Sequence, residues 1–183
     1  MAVLLLSSAA SIPVFSQKRM TPDVKASVIA AFNNQCLTDK FPKKRLRTEI
    51  RHALYKLKDE PSHPESDGKY AVPYDLNGDG VSEYFVQLKD TGIGDNVYWG
   101  VFSTKPVRFL GIIFAEHVYL RQRVATWAAV TISSHISSSD SNISTYSYRD
   151  GIYQKVAGDY EVSANRKDEP KFVGNVRYLC ERQ

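Results

Sequence analysis

Cysteine is scarce in this chain. Cys36 and Cys180 are the only two among 183 residues. That excludes a small scaffold held by several disulfides. Neither has a second Cys or a His at ligand spacing, which argues against a zinc site. Long apolar runs are missing too. No stretch of about 18 apolar residues occurs, so an internal transmembrane helix is excluded. No repeat of 20–50 residues is visible, which excludes a complete propeller or a solenoid. The protease, lipase and nucleotide signatures HExxH, GxSxG and the P-loop are absent. Asp90-Thr91-Gly92-Ile93-Gly94-Asp95 is Gly-rich but has no Lys-Ser/Thr and no third Gly, so it reads as a hairpin loop. His52, His63, His117 and His135 are scattered. Glu116-His117, if both lie on a strand, point to opposite faces and make a poor dyad.

Apolar residues make up 43% of the chain and charged residues 24%. This is the composition of a soluble globular domain with a real core. The net charge of +4 hides an uneven spread. Lys40, Lys43, Lys44, Arg45, Arg47, Arg51, Lys56 and Lys58 face one acid, Glu49, between residues 40 and 58. Between residues 67 and 95, Asp67, Asp75, Asp79, Glu83, Asp90 and Asp95 outnumber Lys69 and Lys89. One region suits polyanions, the other a cation.

Residues 1–16 read as a signal peptide: a short apolar stretch, small residues, and a cut at Ser16/Gln17. The expected location is therefore secreted or periplasmic, with no transmembrane segment after signal removal and no nucleic-acid partner. Cys36 and Cys180 then fit one disulfide in an oxidising compartment, or two independent small apolar side chains; spacing does not decide between them.

Residues 17–61 read as helical. Thr21 suits an N-cap and Pro22 a first helical position, and Val24, Val28, Ala31 and Phe32 share one helical face. Leu46, Ile50, Ala53, Leu54 and Leu57 give a clean apolar stripe over about 43–58, with Lys43, Lys44, Arg47 and Arg51 off it. From residue 62 the period changes. Runs at 70–74, 83–88, 97–102, 107–114, 117–120, 124–132, 143–148, 152–156 and 160–163 are β-branched and aromatic, with turn residues between them. Asp150-Gly151 is the best hairpin signal and Gly158-Asp159 a second turn. A last strand is expected within 172–179. Tyr146, Tyr148, Tyr153 and Tyr160 are either a binding surface or cross-strand packing. The expected fold is α+β: two N-terminal helices packed on an antiparallel, hairpin-rich β-sheet, all in one domain.

The most informative stretch is Asp75-Leu76-Asn77-Gly78-Asp79-Gly80-Val81-Ser82-Glu83. Oxygen side chains stand at positions 1, 3, 5 and 9, a turning Gly at 6, and a backbone carbonyl, that of Val81, at 7. Such oxygens can converge on one hard cation, and calcium tolerates the irregular geometry. It is not an EF-hand, because position 12 is Val86 and the flanks read as strands. A plain Asn-Gly/Asp-Gly turn uses the same residue types, yet has no need of acids at 1, 5 and 9 together.

The stretch resembles the calcium loops of the FG-GAP/VCBS families, the integrin-like propeller blades, with their pattern D-x-[DN]-x-D-G-x-x-[DE] between two strands. The resemblance covers about residues 70–90, with a looser likeness at Trp99-Gly100-Val101-Phe102, in a single copy and without the Phe-Gly…Gly-Ala-Pro phrase. It implies Asp75, Asn77, Asp79 and Glu83 as side-chain ligands and Val81 as a carbonyl ligand. The expected function is a secreted or periplasmic, non-enzymatic domain with one structural calcium loop, binding a protein, glycan or envelope component. Two alternatives stand beside it: a small extracytoplasmic hydrolase with a site assembled from dispersed residues, and an anionic-surface binder using the basic helix 43–58.

Overall fold

A computed structural model describes residues 28–33, 44–56, 71–88, 96–123, 126–137, 140–163 and 176–179. The signal-peptide segment, Cys36, Cys180, Lys43 and the Gly-rich stretch 90–95 lie outside the described residues.

Two sheets and one helix make three layers. The four-stranded sheet runs in sequence order: β2 (Ala71–Tyr74), β3 (Glu83–Gln87), β4 (Val97–Thr104) and β5 (Val107–Ala115), each antiparallel to the next. The six-stranded sheet has the order β10-β1-β6-β7-β8-β9, with β1 (Val28–Asn33), β6 (His117–Arg121), β7 (Val130–His135), β8 (Asp140–Arg149), β9 (Ile152–Ser163) and β10 (Arg177–Tyr178). Its neighbours are antiparallel except β1 and β10, which run parallel.

The inner faces of the sheets share one core. Phe32 and Val118 from one side meet Phe85, Trp99 and Ile113 from the other, all buried. Phe32 lies 5.0 Å from Phe85 and 5.2 Å from Trp99 between ring centroids, in tilted and edge-on contacts that add to their burial. Helix α1 (Lys44–Lys56) covers the other face of the four-stranded sheet. Ile50 and Leu54 sink there against Ala71, Tyr84, Val86, Leu88 and Phe102. That sheet is thus buried on both sides, which is why Glu83–Val86 reads as an unbroken buried run rather than an alternation.

A bulge in β5 resets the alternation. Val101 pairs with Gly111 but Phe102 with Phe109. Leu110 and Ile113, three residues apart, therefore both face the inter-sheet core. Gly111 has φ 137°, and a Cβ there would lie 3.2 Å from the Tyr153 carbonyl oxygen of the facing sheet.

The α+β expectation is corrected in two respects. The protein is mostly β, with two sheets rather than one. Of the two N-terminal helices only the second exists among the described residues, as α1; residues 28–33, placed in the first, are strand β1. A five-residue apolar run, Val28–Phe32, fits both periods. Val28, Ala31 and Phe32 share a helical face, but Ala30 and Phe32 also share a strand face. The slot between β6 and β10 selects the strand, because it pairs the backbone and seats Phe32 against Trp99. Gly158-Asp159 is not a turn either. Those two residues lie opposite Ser144 alone, a bulge within β9. Asp150-Gly151 does close the β8–β9 hairpin, with φ of 52° and 89° as a type I′ turn requires. No helix among the described residues is long and apolar enough to cross a membrane.

Candidate cation site in the β2–β3 loop

Four of the five predicted ligand residues sit in the connection between β2 and β3, and the fifth, Glu83, is the first residue of β3. Tyr74 pairs with Glu83 to close it. The loop is anchored from inside. Leu76 is fully buried in the inter-sheet core, and its carbonyl accepts a 2.7 Å bond from the Ala128 N–H. The Tyr153 hydroxyl donates to the Ala128 carbonyl at 2.9 Å, so β9 holds the same anchor. Burial pushes the Tyr153 phenol well above its ordinary range, and the Glu83 charge adds to this.

The side-chain oxygens organise the loop backbone. Asp75 accepts from the Gly78 N–H at 2.6 Å and the Gly80 N–H at 3.1 Å. Asn77 Oδ1 accepts from the Asp79 N–H at 2.9 Å, and Asp79 Oδ1 from the Val81 N–H at 2.7 Å. Gly78 and Gly80 have φ of 80° and 81°, which bends the chain around these groups. Asn77, Gly78 and Asp79 are thereby held by side-chain bonds within the loop and by Glu83 at the start of β3.

Glu83 differs from the other acids. It is 2% exposed. One oxygen accepts from the Leu76 N–H at 2.8 Å; the other faces Asn77 Nδ2 at 3.5 Å, which also lies 3.0 Å from Asp79 Oδ2. Burial pushes the Glu83 carboxyl above its usual range. The Leu76 N–H opposes this, and the neighbouring Asp79 and Asp75 charges reinforce it. A buried carboxylate beside two others, with one neutral amide between two of them, lacks a compensating positive charge inside the loop. Among the described residues one cation approaches from outside. Arg123 Nη1 lies 3.4 Å from the Asp75 carbonyl and 3.7 Å from its carboxylate, across Gly78, where a Cβ would strike the guanidinium.

Comparison with protein-family models, curated proteins and solved structures found no match to this chain.

The five residues share one loop but are not closed around a common point. Among the described residues no three His, Cys, Asp or Glu side chains form a ready metal cluster. Their oxygens are turned onto loop N–H groups instead. A groove of about 570 Å³ runs from Val81 and Ser82 to Arg45, Glu49 and Lys105, between the loop and the start of α1.

The other candidates resolve differently. Tyr153 is buried, and Tyr148 stacks on Trp127 at 4.0 Å, so these tyrosines are packing groups. Lys44 and Arg51 are exposed on α1, whereas Arg47 is half-buried. Sequence reasoning missed Leu76 and Arg123, whose roles depend on distant chain. It also misjudged Glu116. That residue sits in the bend between β5 and β6, and its Oε2 lies 2.8 Å from His135 Nδ1 and 3.4 Å from His117 Nδ1.

The charge imbalance at Glu83 has a measurable consequence. Glu83→Gln keeps an oxygen for the Leu76 N–H and removes the buried charge. In EDTA the variant is expected to melt about 2–4 °C above the wild type, the shift for roughly 1 kcal/mol in a chain of this size. A lower melting temperature than wild type, read by scanning calorimetry, contradicts the imbalance.

Proposed function

We propose that the chain is a secreted or periplasmic binding domain whose β2–β3 loop takes one calcium ion through Asp75, Asn77, Asp79, the Val81 carbonyl and Glu83. Glu83 carries the reading: a carboxylate buried beside two more acids, at the ninth position of an oxygen-rich loop. A hard dication supplies the missing charge, and oxygen is the donor it prefers. Each loop acid offers a second oxygen or lone pair beyond its N–H bond, so ligation does not require the loop to unwind. The FG-GAP/VCBS-type pattern supports the same assignment. The ion's work is structural, fixing the hairpin that leads into the doubly buried sheet, and the partner is a protein, glycan or envelope component met by the exposed surface.

Isothermal titration of chelator-stripped protein with calcium tests this. One site per chain is expected, with a dissociation constant on the order of 10⁻⁴–10⁻³ M, the range of extracellular modules. Asp75→Ala is expected to abolish the heat. No binding at 10 mM calcium, about tenfold above that range, overturns the reading.

A further inference from the structure

We propose that Glu116, His135 and Ser141 form a nucleophilic triad that cleaves short-chain carboxylic esters, a site separate from the β2–β3 loop. The three residues lie across neighbouring chain segments of the six-stranded sheet. Glu116, just before β6, donates its N–H to the Ser133 carbonyl of β7 at 2.9 Å. His135 ends β7. Ser141, on β8, is its direct cross-strand partner. Directly opposed residues point to the same face, with Cβ atoms about 4.5–5.5 Å apart. That face is the outer one, since Val130 and Ile132 of β7 point into the inter-sheet core.

The His135 ring is held as a general base requires. Its Nδ1 lies 2.8 Å from Glu116 Oε2. The carboxylate keeps the proton on Nδ1 and leaves the lone pair on Nε2. The Glu116 side chain is 15% exposed and that of His135 35%, so the carboxylate is sheltered while the imidazole remains reachable. The backbone beneath is clamped. Asn96, fully buried, accepts from the His135 N–H at 2.9 Å and donates to its carbonyl at 2.8 Å. Both functions of one buried amide thus fix a single histidine at a hairpin end. Among the described residues no hydrogen bond joins the Ser141 hydroxyl to His135 Nε2, so a side-chain rotation across the β7–β8 pair must bring them within reach before attack.

In the reaction the Ser141 oxygen attacks the ester carbonyl carbon as its proton passes to His135 Nε2. The carbon–oxygen bond to the alcohol breaks, and the leaving oxygen takes that proton. Water then attacks the acyl-serine with His135 again as base, releasing the carboxylic acid and restoring the serine. Ser141 and His135 are the catalytic residues; Glu116 and Asn96 are positioning residues.

Treatment of the full chain with a fluorophosphonate probe, followed by intact mass and peptide mapping, tests the assignment. One adduct on Ser141 is expected, together with turnover of p-nitrophenyl acetate. Ser141→Ala should lose both, and His135→Gln should slow labelling at least 100-fold. Glu116→Gln should slow it about tenfold or more, with Glu116→Asp recovering part of the rate at an equal melting temperature, which a purely structural carboxylate would not produce. His52→Phe, exposed on α1 and outside the triad, should label at the wild-type rate. No adduct on Ser141 of folded wild-type protein, or equal labelling rates in folded wild type and Glu116→Gln, overturns the proposal.

Discussion

Calcium at about 10 mM, roughly ten to one hundred times the expected dissociation constant, should raise the melting temperature of the protein by about 3–11 °C over its value in EDTA, and Asp79→Ala should lose that gain. An ion that binds only the folded chain stabilises it by about 2.7 kcal/mol at one hundred times its dissociation constant. For a chain of this length each 1 kcal/mol moves the midpoint by roughly 2–4 °C. The effect should be global, because the loop is continuous with the core. β2 and β3 belong to the sheet buried on both faces, and Leu76 within the loop is itself a core residue. Asp79 is the sharpest test position. It is exposed, so its replacement opens no cavity, but it supplies an oxygen facing Asn77 and the acceptor for the Val81 N–H. In EDTA its loss should therefore cost only about 1 kcal/mol. In calcium the gap to wild type should widen to the full gain. Equal midpoints with and without calcium would reduce the loop to a turn.

The strands were legible where alternation or turn chemistry was strong, and the helix where the apolar stripe was long. Leu46, Ile50, Ala53 and Leu54 could face a sheet only as a helix, and they do. The run at 28–33 was illegible for a physical reason: its five consecutive apolar residues satisfy either period, and the decision came from β6 and β10, which lie about 90 and 150 residues further along the chain. Gly158-Asp159 carries turn chemistry but is used to absorb one extra residue opposite Ser144. A bulge and a turn draw on the same residue types, so sequence alone does not separate them.

The two candidate sites differ in the same way. The oxygens of the β2–β3 loop are contiguous, so spacing alone placed them together. Glu116 reaches His135, and Ser141 lies opposite His135, only through strand register. Glu116 and His117 are adjacent, and as strand neighbours they would diverge. The bend at Glu116 breaks that alternation and turns its carboxylate onto β7. Nothing local to Glu116 signals this, because the bend follows from the chain crossing between the two sheets.

Leu76→Ala is expected to destabilise the protein by about 2–5 kcal/mol, measured by urea unfolding, the usual cost of truncating a fully buried leucine. It is also expected to weaken calcium binding several-fold, although Leu76 contributes no side-chain ligand. The two effects have one cause. The Leu76 N–H holds Glu83, its carbonyl holds Ala128, and its side chain fixes both backbone groups by filling the space between the sheets. With the side chain cut back, the N–H remains but its position is no longer enforced, and the Glu83 carboxylate loses the donor that orients it. Asn77→Ala provides the contrast. Asn77 lies outside both core clusters, so its loss should weaken calcium while costing stability only about 1 kcal/mol in EDTA. If Leu76→Ala costs stability but leaves calcium affinity intact, the loop orders its own ligands. If both fall together, the cation site is an extension of the hydrophobic core, and the stability of the sandwich sets the affinity of the loop.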